Sequence, residues 1–456
     1  MSPGGESPSR VRHPLRFIKN RFVRDAATLQ VSGLMNQASQ FVSSIGLVFL
    51  LGEHGFGQFI TAVVLQALFY NLVNVGVVQA TITQVAAANV RDSRVKLAGW
   101  LAFLVKTYLI FSVVLIGVGW LALPAAAEAW YGDRQLGVWA WWLTFWPLID
   151  TPRAVAQVAF QGTRRMLSLG QLDNGQELIR MFLVVLGAAI TGSPEGAVLG
   201  EIASRILASY LALDMYRSAR SDGAGWLPSF REVLRRVPEI PLRQGIRLGL
   251  RVGILKNGST LFMTVFPRLL VGAFGGMSWV AYFHIAQRIL GLPQMMMLGI
   301  SRTVLPALSE LRGVRDLERF RRMFVRTTLI AGSLITAGIL LALPLIPFVV
   351  RVFYRRPEFA EPVLMYAAIL ALGLVPHSFA VGLEAFYILT DQMRVSLLIT
   401  AVGAAITIPL NFVLVEHFPR TGAAWGLSLY MSWVLVHFLY VAFYFKTRAR
   451  EGHWDR

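Results

Sequence analysis

Apolar runs of about twenty residues, the length that carries a helix across hydrocarbon, recur along this chain, and no other feature restricts its fold so severely. Twelve occur, over roughly 28–50, 57–84, 97–122, 136–161, 168–191, 196–217, 243–272, 277–302, 323–349, 362–388, 394–415 and 421–445. Backbone in lipid must satisfy its own hydrogen bonds. The expected fold class is therefore all-α, a polytopic membrane protein of about 12 transmembrane helices. Composition agrees, since 55% of the 456 residues are hydrophobic and only 15% are charged, the balance of a chain solvated mainly by lipid. The absence of cysteine excludes disulfides, thiolate metal sites and thiol nucleophiles.

A net charge of +18 would suggest a nucleic-acid partner in a soluble protein, but here the basic residues collect in loops on one side. Twelve spans place both termini together, and that side carries the basic residues of 10–24, 91–96, 164–165, 217–236, 312–322, 394 and 446–456. The opposite side carries only Arg134, Arg351, Arg355, Arg356 and Arg420. Basic loops stay in the cytoplasm, so both termini are expected there and nucleic acid is not a partner. The N-terminal SPGGESPSRVRHPLRFIKNRFVRD begins like a signal peptide, but the apolar run after it is too long and lacks a small-residue cleavage site, so it is read as retained.

The longest loop, 218–242, contains GAGW, LPSF and PEIP and divides the chain in two. The layout is a basic N-terminal segment (1–27), a first six-helix lobe (28–217), the interlobe loop (218–242), a second six-helix lobe (243–445) and a tail (446–456), with a central cavity between the lobes. LLGEHGFGQFITA and LVGAFGGMSWVAYFHIA occupy corresponding positions in the two halves; they are either a weak repeat or two unrelated turns that both need glycine. FREVLRRV and FIKNRFVR are short amphipathic stretches that either lie on an anionic inner leaflet or are solvated loop.

Ionisable groups at membrane depth cost about 2.5–3.5 kcal/mol each on insertion scales, so each needs a partner, water or a role. In the first lobe Asp173, Glu177 and Arg180 share a helix face, Glu201 and Arg205 are i,i+4 neighbours, and Asp150 and Arg153 are i,i+3 neighbours. They read as structural ion pairs or as coupling groups, and either way they face protein or water. The second lobe differs. Arg251, Lys256, Arg268 and Arg288 fall in its first two helices, while Glu384 is the only clear membrane carboxylate of that half. Lys256 lies about 140° round the helix from Arg251, and Arg268 about 100° away on the other side, so they form no single stripe. Any one of them could instead snorkel to the interface or bond backbone carbonyls, but four uncompensated cations together leave a desolvation cost that a wet interlobe cavity receiving an anionic ligand would meet, with Lys106 contributing from the opposite lobe. His284 with Arg288, and His377 with Glu384, each share a face; they are satisfied buried groups or proton-coupling groups.

LGEHGFGQFITAVVLQALFYNLVNVGVVQA at 51–80, PRLLVGAFGGMSWVAYFHIAQRI at 267–289 and TGAAWGLSLYMSW at 421–433 are similar to oligosaccharide flippases, the Wzx-like polysaccharide transporter branch of the multidrug/oligosaccharidyl-lipid/polysaccharide exporter superfamily. Gly52, Gly55, Phe56, Gly57, Phe59 and Gly76 carry the first match. With the twelve-span layout, the resemblance covers nearly the whole chain. Relatives often have an acidic residue just before the arginine of helix 7, where this chain has Pro267, which leaves Arg268 freer to meet a ligand. The resemblance implies a two-lobed inverted V that moves undecaprenyl-pyrophosphate-linked oligosaccharide across the bacterial inner membrane by alternating access. Arg251, Lys256, Arg268, Arg288 and Lys106 would be its headgroup contacts, since guanidinium forks suit phosphate oxygens. Membrane lipids and polysaccharide polymerase or export machinery are the implied partners.

Two alternatives stand beside this one. A cation-coupled multidrug exporter of the same fold should hold free carboxylates, yet Asp150, Asp173 and Glu177 each lie near an arginine in sequence. A membrane glycosyltransferase or ligase needs a general base or metal-binding carboxylates on an outer loop, for which Glu128, Asp133, Glu358 and Glu361 are the candidates. No GxxxxGK[ST] loop occurs, so ATP drive within the chain is not expected, nor is a cofactor or metal. The outer-loop stretch VVRVFYRRPEFAEP, basic against the topology rule, is either a contact for a periplasmic partner or glycan or a tolerated exception.

Overall fold

The computed structural model describes residues 21–73, 76–90, 93–221, 227–242, 261–313 and 316–451, and its regular structure over these is entirely helical. Helix α1 (Arg21–Val73) opens the first lobe. Gly52, at φ 67° and ψ −175°, breaks it into two spans, a conformation open to glycine and strained for any residue with a Cβ. Next come α2 (Val77–Val90) and α3 (Arg94–Tyr131). The fourth span is assembled from α4 (Arg134–Leu143), α5 (Trp146–Ile149) and α6 (Thr151–Gly162), interrupted where Pro147 and Pro152 remove backbone donors.

Helices α7 (Met166–Thr191) and α8 (Pro194–Ser221) complete this lobe. Their backbones touch: a Cβ added to Gly196 would lie 2.2 Å from the Gly187 carbonyl oxygen, and one on Gly200 2.2 Å from that of Leu183. Small residues permit this approach between membrane helices, and it sets Glu177 and Arg180 beside Glu201 and Arg205.

The second lobe enters the described residues through a π turn (Leu261–Val265), α10 (Phe266–Leu270) and a second π turn (Val271–Gly275), where Pro267 withdraws a donor from the helical ladder. It continues with α11 (Met277–Gly313), α12 (Leu317–Val349), α13 (Ala360–His377), a 3-10 turn (Ser378–Gly382), α14 (Leu383–Leu389), α15 (Met393–His417), α16 (Gly422–Ser432) and α17 (Val434–Glu451). Helix α9 (Phe230–Arg236) belongs to the loop between the lobes.

Among the described residues, seven helical stretches are individually long and apolar enough to cross a membrane, among them Gln30–Asn71, Arg94–Tyr131 and Leu317–Tyr354. The first joins two predicted spans across the Gly52 break. Helix α7, which carries Asp173, Glu177 and Arg180, is not among the seven, and the start of the seventh predicted span lies outside the described residues. Val113, Leu121, Leu341 and Leu439 remain about seven-tenths exposed, as expected of a lipid-facing belt. The chain is a multi-pass membrane protein with two lobes.

The amphipathic stretch around FREVLRR does not simply lie on a membrane surface. Val233 is fully buried against the first lobe, Arg94 Nη2 donates to Glu232 Oε2 at 2.8 Å, and Ser229 caps α9 by accepting from the Glu232 N–H. The lobes meet along α1 and α11. Gln30 donates to the Met295 carbonyl at 2.9 Å, Ser44 and Tyr354 share a 2.8 Å hydroxyl bond, and near Gly52 the Tyr282 hydroxyl donates to Glu53.

Candidate functional site

Between the lobes lies a cavity of about 210 Å³ whose polar wall is built from α1, α7, α8, α10 and α11. From the first lobe, Glu177 and Arg180 project from α7 and Glu201 and Arg205 from α8. Arg180 Nη2 donates to Glu177 Oε1 at 2.6 Å and Arg180 Nη1 reaches Glu201 Oε2 at 3.4 Å, while Arg205 Nη2 holds Glu201 Oε1 at 2.8 Å. Arg205 also stacks its guanidinium 3.6 Å above the Trp146 ring, a cation–π contact strengthened by desolvation. Two carboxylates and two guanidiniums thus neutralise one another.

The second lobe adds Arg268, His284 and Arg288, and its charges are held differently. Arg268 Nε donates to the Gln287 side-chain oxygen at 2.9 Å. Arg288 Nε donates to His284 Nε2 at 3.2 Å, and Arg288 Nη1 donates across the lobe boundary to Gln40 and, at 3.4 Å, to Gln37. No ion pair to a carboxylate holds either arginine among the described residues. The cavity therefore presents four guanidiniums against two carboxylates. It also holds buried polar atoms without hydrogen-bond partners: Ser43 Oγ, Arg205 Nε and His284 Nδ1. Because His284 accepts from Arg288 through Nε2, the proton of its neutral ring sits on Nδ1. All three atoms can donate, so the wall is matched to an acceptor-rich, anionic group.

The expected residues divide between this cavity and other places. Arg268, Arg288, His284, Glu177, Arg180, Glu201 and Arg205 meet there. Asp150, Arg153 and Asp173 form a separate cluster in the first lobe: Arg153 grips both oxygens of Asp150 at 2.7 Å and lies 3.8 Å from Asp173. Asp173 thus parts company with Glu177 and Arg180 despite their shared helix. Lys106 does not line the cavity; its Nζ donates to the Pro238 and Ile240 carbonyls at 3.0 and 2.9 Å, pinning the interlobe loop to α3. Arg251 and Lys256 lie outside the described residues.

His377 and Glu384 share a second cavity, of about 410 Å³, inside the second lobe. His437, which sequence reasoning passed over, lines it too and bonds the Tyr387 hydroxyl at 2.8 Å through Nδ1. Gln287, one position before Arg288, and Trp146 were also missed. Neither carries a charge, and only packing shows that each holds an arginine.

A family model described as polysaccharide biosynthesis protein matches residues 22–312, and a MatE model matches 254–413. No match was found among curated proteins. Among solved structures, the chain is similar to a multidrug resistance MATE family transporter of the MOP superfamily in its outward-facing conformation, at TM-score 0.66 and 15% identity over 97% of this chain and 100% of that one. An inward-facing structure with the same description gives TM-score 0.66 and 17% identity over 94% and 95% of the two chains. A third, from Pyrococcus furiosus, is described as a MOP superfamily transporter whose reversed binding-pocket polarity suggests a different function. It covers 96% of this chain and 99% of that one at TM-score 0.62 and 15% identity. The fold is a MATE-like transporter fold, and the chain belongs to the polysaccharide biosynthesis protein family.

Proposed function

We propose that this transporter is a flippase that moves undecaprenyl-pyrophosphate-linked oligosaccharide across the bacterial inner membrane by alternating access, with both termini in the cytoplasm. The observation that carries the reading is the pair Arg268 and Arg288, held by neutral Gln287, His284 and Gln40 instead of by carboxylates. Neutral acceptors partly offset desolvation without cancelling charge, so both guanidiniums keep their capacity for a phosphate. A cavity of about 210 Å³ has room for a headgroup and none for a glycan, so the sugar crosses only when the lobes part. Polysaccharide polymerase or export machinery is the proposed partner.

The test is Arg268→Gln, alone and with Arg288→Gln, in a strain lacking its own flippase. Loss of a charge-assisted bond of about 1.5–3 kcal/mol lowers glycan export roughly ten- to a hundredfold per site. Full export by a correctly inserted Arg268→Gln protein refutes the assignment. The multidrug exporter remains the second reading, favoured by the solved transporters of this fold. A cationic drug would meet surplus guanidinium here, and resistance profiling of a deletion strain separates the two.

A further inference from the structure

A large apolar groove of about 840 Å³ runs down the flank of the second lobe between α12 and α17, and none of its lining residues lines the interlobe cavity. Its floor is Phe379, from the 3-10 turn, and its rims include Leu329 and Leu435, 53% and 54% exposed and so open sideways to the bilayer. Arg321, near the start of α12, and Lys446, near the end of α17, stand at one mouth, which is the terminal side of both helices. Arg319 pairs with Asp316 at 3.1 Å and Arg322 with Glu318 at 3.7 Å, whereas Arg321 and Lys446 have no acidic partner among the described residues. Thr328 lines the same groove two turns deeper; it is 6% exposed, and its Oγ1 is buried without a hydrogen-bond partner.

We propose that this groove is a binding site for an anionic glycerophospholipid of the surrounding membrane, independent of the transported substrate. The phosphate sits between Arg321 and Lys446, the Thr328 hydroxyl donates to an ester carbonyl, and one acyl chain lies over Phe379. The spacing suits this order. Seven residues separate Arg321 from Thr328, about 10 Å along a helix, and the groove begins at the membrane face where anionic lipids meet juxtamembrane cations. Its volume lies in the range of specific small-ligand sites, and its open side admits a lipid without passage through the protein.

Native mass spectrometry of the detergent-solubilised full chain tests it, with added phosphatidylglycerol or phosphatidylcholine of identical acyl chains. The wild type retains phosphatidylglycerol with a preference on the order of tenfold. Arg321→Gln/Lys446→Gln abolishes the preference, Ala442→Trp, which fills the groove, lowers retention of both lipids, and Arg322→Gln leaves the wild-type pattern. Equal retention of the two lipids by wild type, no retention of either, or an undiminished preference in the double variant overturns the proposal. Arg268→Gln should keep the preference while losing export. Normal export by that variant would therefore count against the flippase assignment and leave the lipid site standing.

Discussion

A methyl group at Gly57 should force the lobes apart. In the second span of α1, Gly57 faces the first residue of α11, and a Cβ added there would lie 1.9 Å from the Met277 carbonyl oxygen and 2.5 Å from its carbonyl carbon. Real contacts of this kind essentially never fall below 3.0 Å, so the two backbones must separate by about 1 Å. No flexible side chain can absorb the shift, since both obstructing atoms are main chain. Overpacking of this kind costs about 1–3 kcal/mol, and the cost falls only on conformations in which these backbones touch. If alternating access parts them, Gly57→Ala shifts the conformational ratio by about 5- to 150-fold toward the form open on that side. The chain has no cysteine, so Ser43→Cys, isosteric and 2% exposed on the cavity wall, can serve as a single reporter. A membrane-impermeant maleimide applied from the side opposite the termini should label it faster by that factor in the Gly57→Ala background. An unchanged labelling rate with a lowered melting temperature would show that the two lobes move without separating at Gly57, and the reasoning would fail.

Glu201→Gln should lower the melting temperature in detergent markedly, because it strips a buried carboxylate from both Arg180 and Arg205, and breaking a buried pair costs about 3–5 kcal/mol; Glu201→Gln/Arg205→Gln should recover part of the loss. At the membrane surface, the hydrogen bond from Arg94 holds the Glu232 carboxyl below its ordinary value of 4.5. A depressed folded value makes the docking of α9 fully stable above the ordinary one and weaker as pH falls through the lower one. Hydrogen exchange at residues 230–236, corrected for intrinsic rate, should therefore accelerate as pH drops below 4.5, and Glu232→Gln should remove the dependence.

The spans were legible because a twenty-residue apolar run has one structural outcome in lipid, and Gly52 marked the break within α1. The unequal charge of the lobes was legible too: counting carboxylates near Arg268 and Arg288 pointed to cations without anionic partners, and the cavity contains both. What sequence spacing did not disclose was rotation. Asp173, Glu177 and Arg180 follow helical periodicity, yet the fold turns Asp173 toward Arg153 and the other two toward α8. Lys106 looked like a cavity cation because its helix was known but its azimuth was not. The carbonyls it binds, on Pro238 and Ile240, belong to a loop 132 and 134 residues away. His437 escaped notice because its partners sit on α14 and across the 3-10 turn, and no period along α17 announces them.

The two lobes solve the cost of buried charge in opposite ways, and the difference bears on how binding and movement are linked. The membrane-depth charges of the first lobe are paired with one another, in Asp150–Arg153–Asp173 and in Glu177–Arg180–Glu201–Arg205, although Arg205 Nε keeps no acceptor. Arg288 instead draws on Gln40 and Gln37 of the opposite lobe, so it clasps the lobes together, and under the proposed function the same group would also meet the headgroup. An anionic oxygen is the stronger acceptor for a guanidinium. Were it to displace the two amide oxygens, Arg288 would gain a better partner while the α1–α11 interface would lose these bonds. A ligand shifts an equilibrium only by its differential affinity for the two states, and this exchange supplies one: the state in which the clasp is already broken offers Arg288 without competition from Gln40. An arginine salt-bridged within its own lobe could bind the same phosphate, but would not report that binding to the other lobe.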